Sequence, residues 1–513
     1  MNGSGKSAFV RARRGAASVS SSGYSSSASV ASVSSQLNAG NVASVEGDVD
    51  RASLAACGSS VISATDGNQA PAPFTGIAAK VPLPVLYHTD MRGHDTRLHH
   101  SLEVNQEGPD RVHRIMTNLY EDAVVFKLCE ILYGKAVPLA SPEHLVRVHD
   151  QEYVTFLEGL CVRYDSGPNH DHPSDHEVLR FTPLVVSRLF PEEEKRRYFG
   201  AERHLSSATR FSPGSYKAAM RSAGAVIHAV NLVMDESKEP NRAFCLVRPP
   251  GHHAGPRGYD PIAGGCGFCL VNNVMVGAAE CLAKYPGSRV AIVDIDVHHG
   301  NGTQTIIEEK FKGQPILFCS THLYETVEGD PDMDFFPGTG GELDNEQVLN
   351  VPLVPMWTQN DGASEQTKGK RPAETNPEVS AKKTRGPNGG VFLEPEPRGT
   401  PPSGGRNGYR YAIEHRIIPK LQAFKPDLII MSTGFDGAHL DEGNQGDNGG
   451  GLDLNEGDYA WTTDMIISRS GASRIVSVLE GGYGRWSPAI DNFDTAPLVS
   501  SCLSHLSALI EKK

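Results

Sequence analysis

From about residue 84 onward, apolar runs of strand length alternate with stretches of helical periodicity, as where PDLIIMSTGFD follows the amphipathic YAIEHRIIPKLQAF. Strands separated by helices lie parallel, and a parallel sheet must be covered by helices. The expected fold class is therefore α/β: a single three-layer αβα domain over residues 84–513 with a mostly parallel central sheet. Two segments break the alternation. Residues 1–83 are rich in Ser, Ala and Gly, with apolar runs too short to build a core, and read as a disordered tail. This tail carries Arg11, Arg13 and Arg14 and no acidic residue before Glu46, so an organellar transit peptide stays open as a second reading. Residues 358–408 are rich in Pro, Gly, Lys and Glu, and read as a disordered surface insertion within the domain.

The insertion holds two basic clusters, Lys370-Arg371 and Lys382-Lys383-Thr384-Arg385, on either side of a ten-residue spacer that begins at Pro372. This is the pattern of a bipartite nuclear import signal, which would place the protein in the nucleus, with shuttling to the cytoplasm. The competing reading is a solvated charge run. No stretch approaches the roughly 18–20 apolar residues that a membrane-spanning helix needs, and the first residues lack a signal-peptide core. Nine scattered cysteines fit a reducing compartment. A net charge of −13 argues against a broad nucleic-acid surface and is compatible with a basic partner.

Four candidate strands end in unusual polar residues. AFCLVRPPGHH ends in His252-His253, RVAIVDIDVHHGNG carries Asp294, Asp296, His298 and Asn301, DLIIMSTGFD ends in Asp436, and RIVSVLEGGY ends in Tyr483. Ligands of open parallel sheets bind at the carboxyl ends of the strands, so the four clusters should converge on one cleft. Strand alternation would line up Asp294, Asp296 and His298 on one face, and Asp436 would complete a mixed Asp/His site with an open position, as catalytic zinc requires. The alternative is a buried salt-bridge cluster without metal, which would leave like charges uncompensated. An adjacent histidine pair after a rigid Pro-Pro-Gly turn suits general acid–base work. Gly481-Gly482 gives the backbone freedom to set the Tyr483 phenol beside an oxyanion.

Taken in order, RPPGHHA, DIDVHHGNGTQ, FFPGTG, STGFD and LEGGY resemble the histone deacetylase and acetylpolyamine amidohydrolase superfamily, over roughly residues 84–505 apart from the insertion. Arg-Pro-Pro-Gly and Asn301 point to its class II branch. The resemblance implies an arginase/deacetylase-like fold and zinc-dependent hydrolysis of acetyl-lysine in histone tails or other proteins, within co-repressor complexes of chromatin. Asp296, His298 and Asp436 are its implied zinc ligands, and His253 its general base. His252 is the electrostatic companion, oriented by Asp294; Asn301 orients His253, and Tyr483 stabilises the oxyanion. Gly267, Phe268 and Phe336 would line the substrate tunnel. A structural potassium ion is implied at Asp294, Asp296, His298, Ser320 and Thr321, largely through backbone carbonyls. Cys266 and Cys269 form a lone Cys-x-x-Cys, read as inert packing with regulatory oxidation as the alternative.

Three departures limit the transfer. Ala208 stands where many relatives carry a rim aspartate, the loop after Asp436 (GAHLDEGNQGDNGGGLDL) is long and Gly-rich, and an early His-Pro-Glu motif appears as Asn105-Gln106-Glu107. Two other functions remain open: acetylpolyamine hydrolysis, with Glu442 as the acid that would attract a cationic substrate, and a catalytically silent scaffold on the same fold.

Overall fold

The computed structural model describes residues 81–96, 105–165, 208–325, 334–357, 404–446, 449–490 and 492–510, with short pieces at 179–180, 189 and 193. These fall in one compact unit, Ala78–Lys513. The tail reading, apart from its last three residues, and both basic clusters of the import signal lie outside the described residues.

Nine strands make the central sheet: β1 (Leu83–Leu86), β2 (Cys129–Leu132), β3 (Arg242–Cys245), β4 (Val290–Asp294), β5 (Ile316–Leu323), β6 (Leu343–Asp344), β7 (Val348–Leu353), β8 (Leu428–Thr433) and β9 (Arg474–Leu479). Their order is β2-β1-β3-β9-β8-β4-β5-β7-β6. Every pairing is parallel except that of the short edge strand β6 with β7. The runs VAIVD and LIIMST are buried at every position, as strands covered on both faces must be.

Alternation along β3 shows the covering layers. Phe244 packs on His505 of the helix Ala496–Leu509, while the next residue, Cys245, reaches Ala225 of the helix Ser215–Met234. Consecutive side chains leave a strand on opposite faces, so these helices form opposite layers. Outward from β4 the chain proceeds to β5 and β7; β8 re-enters on the other side of β4 and leads to β9. Such a reversal opens a crevice at the carboxyl ends of the strands.

Regular structure reaches into the edges of both segments read as disordered. β1 takes in Leu83, which had been read as the end of the tail, and residues 405–408, assigned to the insertion from their glycines, open the helix Gly405–Ala412. Gly405 and Gly408 are buried there, so what reads as loop composition reflects close packing.

Candidate active site

β4 ends at Asp294, so Asp296 and His298 sit on the bend that follows and not on one face of the strand, as alternation had suggested. The bend is held by its own carboxylates: the Asp296 N–H donates to Asp294 Oδ1 (3.1 Å) and the His298 N–H to Asp296 Oδ1 (2.9 Å). It turns His298 Nδ1 toward Asp296 Oδ1 and Asp436 Oδ2, 3.1 Å from each. Asp436, just beyond β8, accepts the Val297 N–H (3.0 Å), and Asp296 accepts the Gly481 N–H from the loop after β9 (2.9 Å). One potential ligand atom from each of Asp296, His298 and Asp436 lies within 4.8 Å of the others, all buried. The glycines of STGFD and LEGGY make room for them: a Cβ on Gly434 would come within 2.0 Å of Asp296 Oδ2, and one on Gly481 within 2.3 Å of Asp436 Oδ2.

Electrostatics shows what the trio lacks. Burial and the neighbouring Asp296 charge push Asp436 up. His298, which burial alone would push down, is raised to about 9 by its bonds to the two carboxylates. The imidazole is drawn into service as the cation between them. Two carboxylates and an imidazole Nδ1 facing one buried point form a donor set that fits a divalent metal with an open position.

The histidine pair lies beside this point, ring centroids 3.9 Å apart. His252 Nδ1 bonds Asp294 Oδ2 (3.0 Å); burial disfavours its cation, yet Asp296 and Asp294 raise it to about 10. His253 is driven well down, by burial and then by His252 and His298, and is neutral. Asn301 donates its amide to Asp260 (2.6 Å), so its oxygen faces His253 Nδ1 at 2.7 Å and must accept a proton from it. Nε2 of His253 is left as the basic nitrogen. Burial and the Asp436 charge hold Tyr483 well above 10, so it remains a phenol donor.

Phe268 packs edge-on against Tyr483 at 5.6 Å, and Phe336 against His253 at 5.0 Å. Gly267, at φ +46°, has no space for a side chain between His253 and Phe336. Ser320 is the register partner of Asp294 on β5, but its hydroxyl already bonds His322 (2.7 Å), while the buried Thr321 hydroxyl has no hydrogen-bond partner among the described residues. Cys266 and Cys269 are buried free thiols, both pushed up by burial. Ala208 is exposed. Glu442 is half-buried and raised by burial, and its side chain makes no hydrogen bond or ion pair among the described residues.

Several residues that sequence reasoning left without a role complete the site. Glu480 accepts the Gly251 and His252 N–H groups (2.6 and 3.2 Å) and the Ser432 hydroxyl (3.0 Å), which fixes the Pro-Pro-Gly turn. It forms a second cluster with His252 and Cys269, but its oxygens and His252 Nδ1 are already engaged. The unexplained Asn105-Gln106-Glu107 segment supplies a buried ion-pair centre. Glu107 binds Arg248 through both oxygens (2.7 and 3.0 Å) and Arg111 at 3.3 Å. Arg111 in turn donates to the Gly482 and Glu480 carbonyls (both 2.6 Å) and lies 4.8 Å over the Tyr483 ring. The signal was the Glu-x-x-x-Arg spacing across the start of the helix Asp110–Glu121, visible but not read as functional.

The sheet, its crevice and this constellation make up a domain of the arginase/deacetylase-like fold with a candidate metal site at the carboxyl ends of its strands. A family model described as "Histone deacetylase domain" matches residues 105–490. Similar proteins include type-2 histone deacetylase 2 of Dictyostelium discoideum, 32% identical over 79% of this chain and 20% of its own length. Histone deacetylase HDA1 of Saccharomyces cerevisiae is 29% identical over 74% of this chain and 42% of its own length. A histone deacetylase-like amidohydrolase of Pseudomonas aeruginosa is 29% identical over 60% of this chain and 64% of its own. Among solved structures, the HD domain of HDA15 superposes with a TM-score of 0.55 at 24% identity, covering 84% of this chain and 89% of that one. The chain belongs to the histone deacetylase family. It spans only 20% of the length of the first Dictyostelium relative.

Proposed function

We propose that this chain is a zinc-dependent protein lysine deacetylase of the class II kind, acting on acetylated histone tails or other acetylated proteins. The observation that carries the reading is the buried Asp296, His298 and Asp436 trio, with a neutral histidine, a cationic histidine and a phenol beside it. Asp296, His298 and Asp436 would hold the zinc ion, which when bound polarises the acetyl carbonyl and brings a water toward a pKa of about 7. His253 Nε2 takes the proton of the attacking water and returns it to the lysine nitrogen as the C–N bond breaks, releasing acetate. His252, kept cationic by Asp294, stabilises the negative charge that builds up, and Asn301 keeps His253 in the reactive tautomer. The Tyr483 hydroxyl donates to the oxyanion. Phe268 and Phe336 offer apolar walls to the neutral acetyl-lysine stem and exclude water. A potassium ion at Asp294, Ser320 and Thr321 would rest on backbone carbonyls, because the Ser320 hydroxyl is engaged. Nuclear import through the basic clusters of the insertion and assembly into co-repressor complexes belong to the same proposal.

One observation favours a second substrate. The loop after Asp436 folds inward, and Glu442 donates its N–H to Gly484 O (2.9 Å), one residue from Tyr483. A carboxylate there without a partner among the described residues suits the distal ammonium of an acetylated polyamine. Turnover of an acetyl-lysine peptide and of an acetylated polyamine, measured on metal-analysed protein, decides between them. Preference for the peptide is expected; preference for the polyamine overturns the protein reading, and inactivity of the zinc-loaded protein on both leaves the scaffold reading.

A further inference from the structure

We infer that Asp441 is a positioning residue for Tyr483: its carboxylate clamps the backbone of the glycine-flanked tyrosine loop and fixes where the phenol stands. This rests on the deacetylase reading for what the phenol does, but not for the clamp. Tyr483 sits between Gly482 (φ +105°) and Gly484 (φ +85°), a stretch that places a side chain freely but does not by itself hold it. Asp441 is fully buried, and its Oδ2 accepts the N–H groups of both Tyr483 (2.9 Å) and Gly484 (2.6 Å), while Oδ1 accepts Gly443 N–H (3.0 Å). Glu442 N–H closes the join on Gly484 O (2.9 Å). The same turn is wedged against the metal-site residues: a Cβ on Gly443 would lie 2.8 Å from Asp436 Cβ and 3.0 Å from Tyr483 Cε2. Arg111 holds the carbonyls of this loop and the Asp441 carboxyl its amides, so the two side chains grip the tyrosine from opposite ends of its peptide dipoles.

A residue that acts only through Tyr483 cannot cost more than the phenol itself supplies, about 100- to 1000-fold in rate. Asp441→Ala should therefore lower kcat within that bound and leave KM nearly unchanged. In a Tyr483→Phe background it should cost almost nothing further. An undiminished loss in that background would show that Asp441 acts elsewhere and would overturn the inference. Hydrogen–deuterium exchange read by mass spectrometry supplies a test without turnover. The segment spanning Tyr483 and Gly484 should exchange at least about tenfold faster in Asp441→Ala. Asp441→Asn, which keeps the side-chain shape and one acceptor oxygen, should fall between and guards against a folding failure of the alanine variant. Unchanged protection of Tyr483 and Gly484 in both variants would overturn the clamp. Inactive wild-type protein whose clamp loosens as expected would count against the deacetylase reading alone.

Discussion

Glu107→Ala should destabilise the domain by several kcal/mol, and the structure allows the magnitude to be worked out in two ways. Glu107 and Arg248 are both fully buried, and the substitution removes both of Arg248's carboxylate bonds together with the Arg111 contact. Arg248 keeps only the carbonyls of Met91, His94 and Glu107. Breaking a buried pair on one side leaves an uncompensated charge and costs about 3–5 kcal/mol. The second route is titration. Burial would raise Glu107, but Arg248, then His94 and Arg111, hold it at about 2 instead of 4.5. That difference is worth about 3 kcal/mol above the unfolded value. Burial also weakens the hold of Arg248 on its proton, yet a guanidinium stays charged at any working pH, so the carboxylate governs the pair. In a domain this large, each kcal/mol moves Tm by about 1–2 °C, which gives a fall of about 3–10 °C. The folded pKa is the depressed one, so the stabilisation is present above about pH 4.5 and disappears as pH falls toward 2. Calorimetry of wild type and Glu107→Gln should thus show a gap at pH 7 that narrows with acid. A Glu107→Ala loss under about 1 kcal/mol, or a gap that widens in acid, would refute the reasoning.

Tyr483→Phe should leave bound metal unchanged while lowering kcat about 100- to 1000-fold, checked by elemental analysis beside a deacetylation assay; full activity would mean another donor meets the oxyanion. Asp436→Ala should abolish metal retention after dialysis, since it leaves one carboxylate and one imidazole at the site. Burial holds His149 at about 4 and His505 at about 3, both neutral in the fold. With folded values below the unfolded value of about 6.5, their stabilisation is complete above that pH and falls by about 1.4 kcal/mol per histidine per pH unit on acidification to about pH 4. Substituting His505 by Gln should make the Tm–pH slope shallower in that window, and an unchanged slope would contradict it.

The parallel sheet was legible because uninterrupted runs such as VAIVD and LIIMST have no other stable use than strands covered on both faces. The meeting of Asp296, His298 and Asp436 was legible too, since strands of one parallel sheet present their carboxyl ends together. What was not legible is how the loops hold still. Strand periodicity extended β4 through His298, but the carboxylates of Asp294 and Asp296 capture the next backbone N–H groups and bend the chain out of the sheet. Asp441 lies in a Gly-rich loop without periodicity, so nothing in its spacing ties it to Tyr483, 42 positions away. The Glu107 contact with Arg248 spans 141 positions. Such pairings exist only once the fold has been made.

These long-range contacts share one logic. Asp294, Asp296, Asp436, Asp441 and Glu480 are all buried at the carboxyl end of the sheet, where like charges raise one another and each isolated carboxylate would be costly. All five are relieved in part by backbone N–H donors: Asp441 by Gly443, Tyr483 and Gly484, Glu480 by Gly251 and His252, Asp294 by Asp296, Asp296 by His298 and Gly481, and Asp436 by Val297. Gly251 and His252, and Gly481, Tyr483 and Gly484, belong to the loops that carry His252 and Tyr483, so these loops are held by the carboxyls they bond. Asp296 and Asp436 also share His298, whose proton affinity the two carboxylates raise. A divalent cation at that point would take the place of the extra proton and complete the balance. The same carboxyls that hold these loops by their backbone N–H groups therefore make the trio a candidate place for metal, and His252 and Tyr483 are positioned by the acidic cluster they surround.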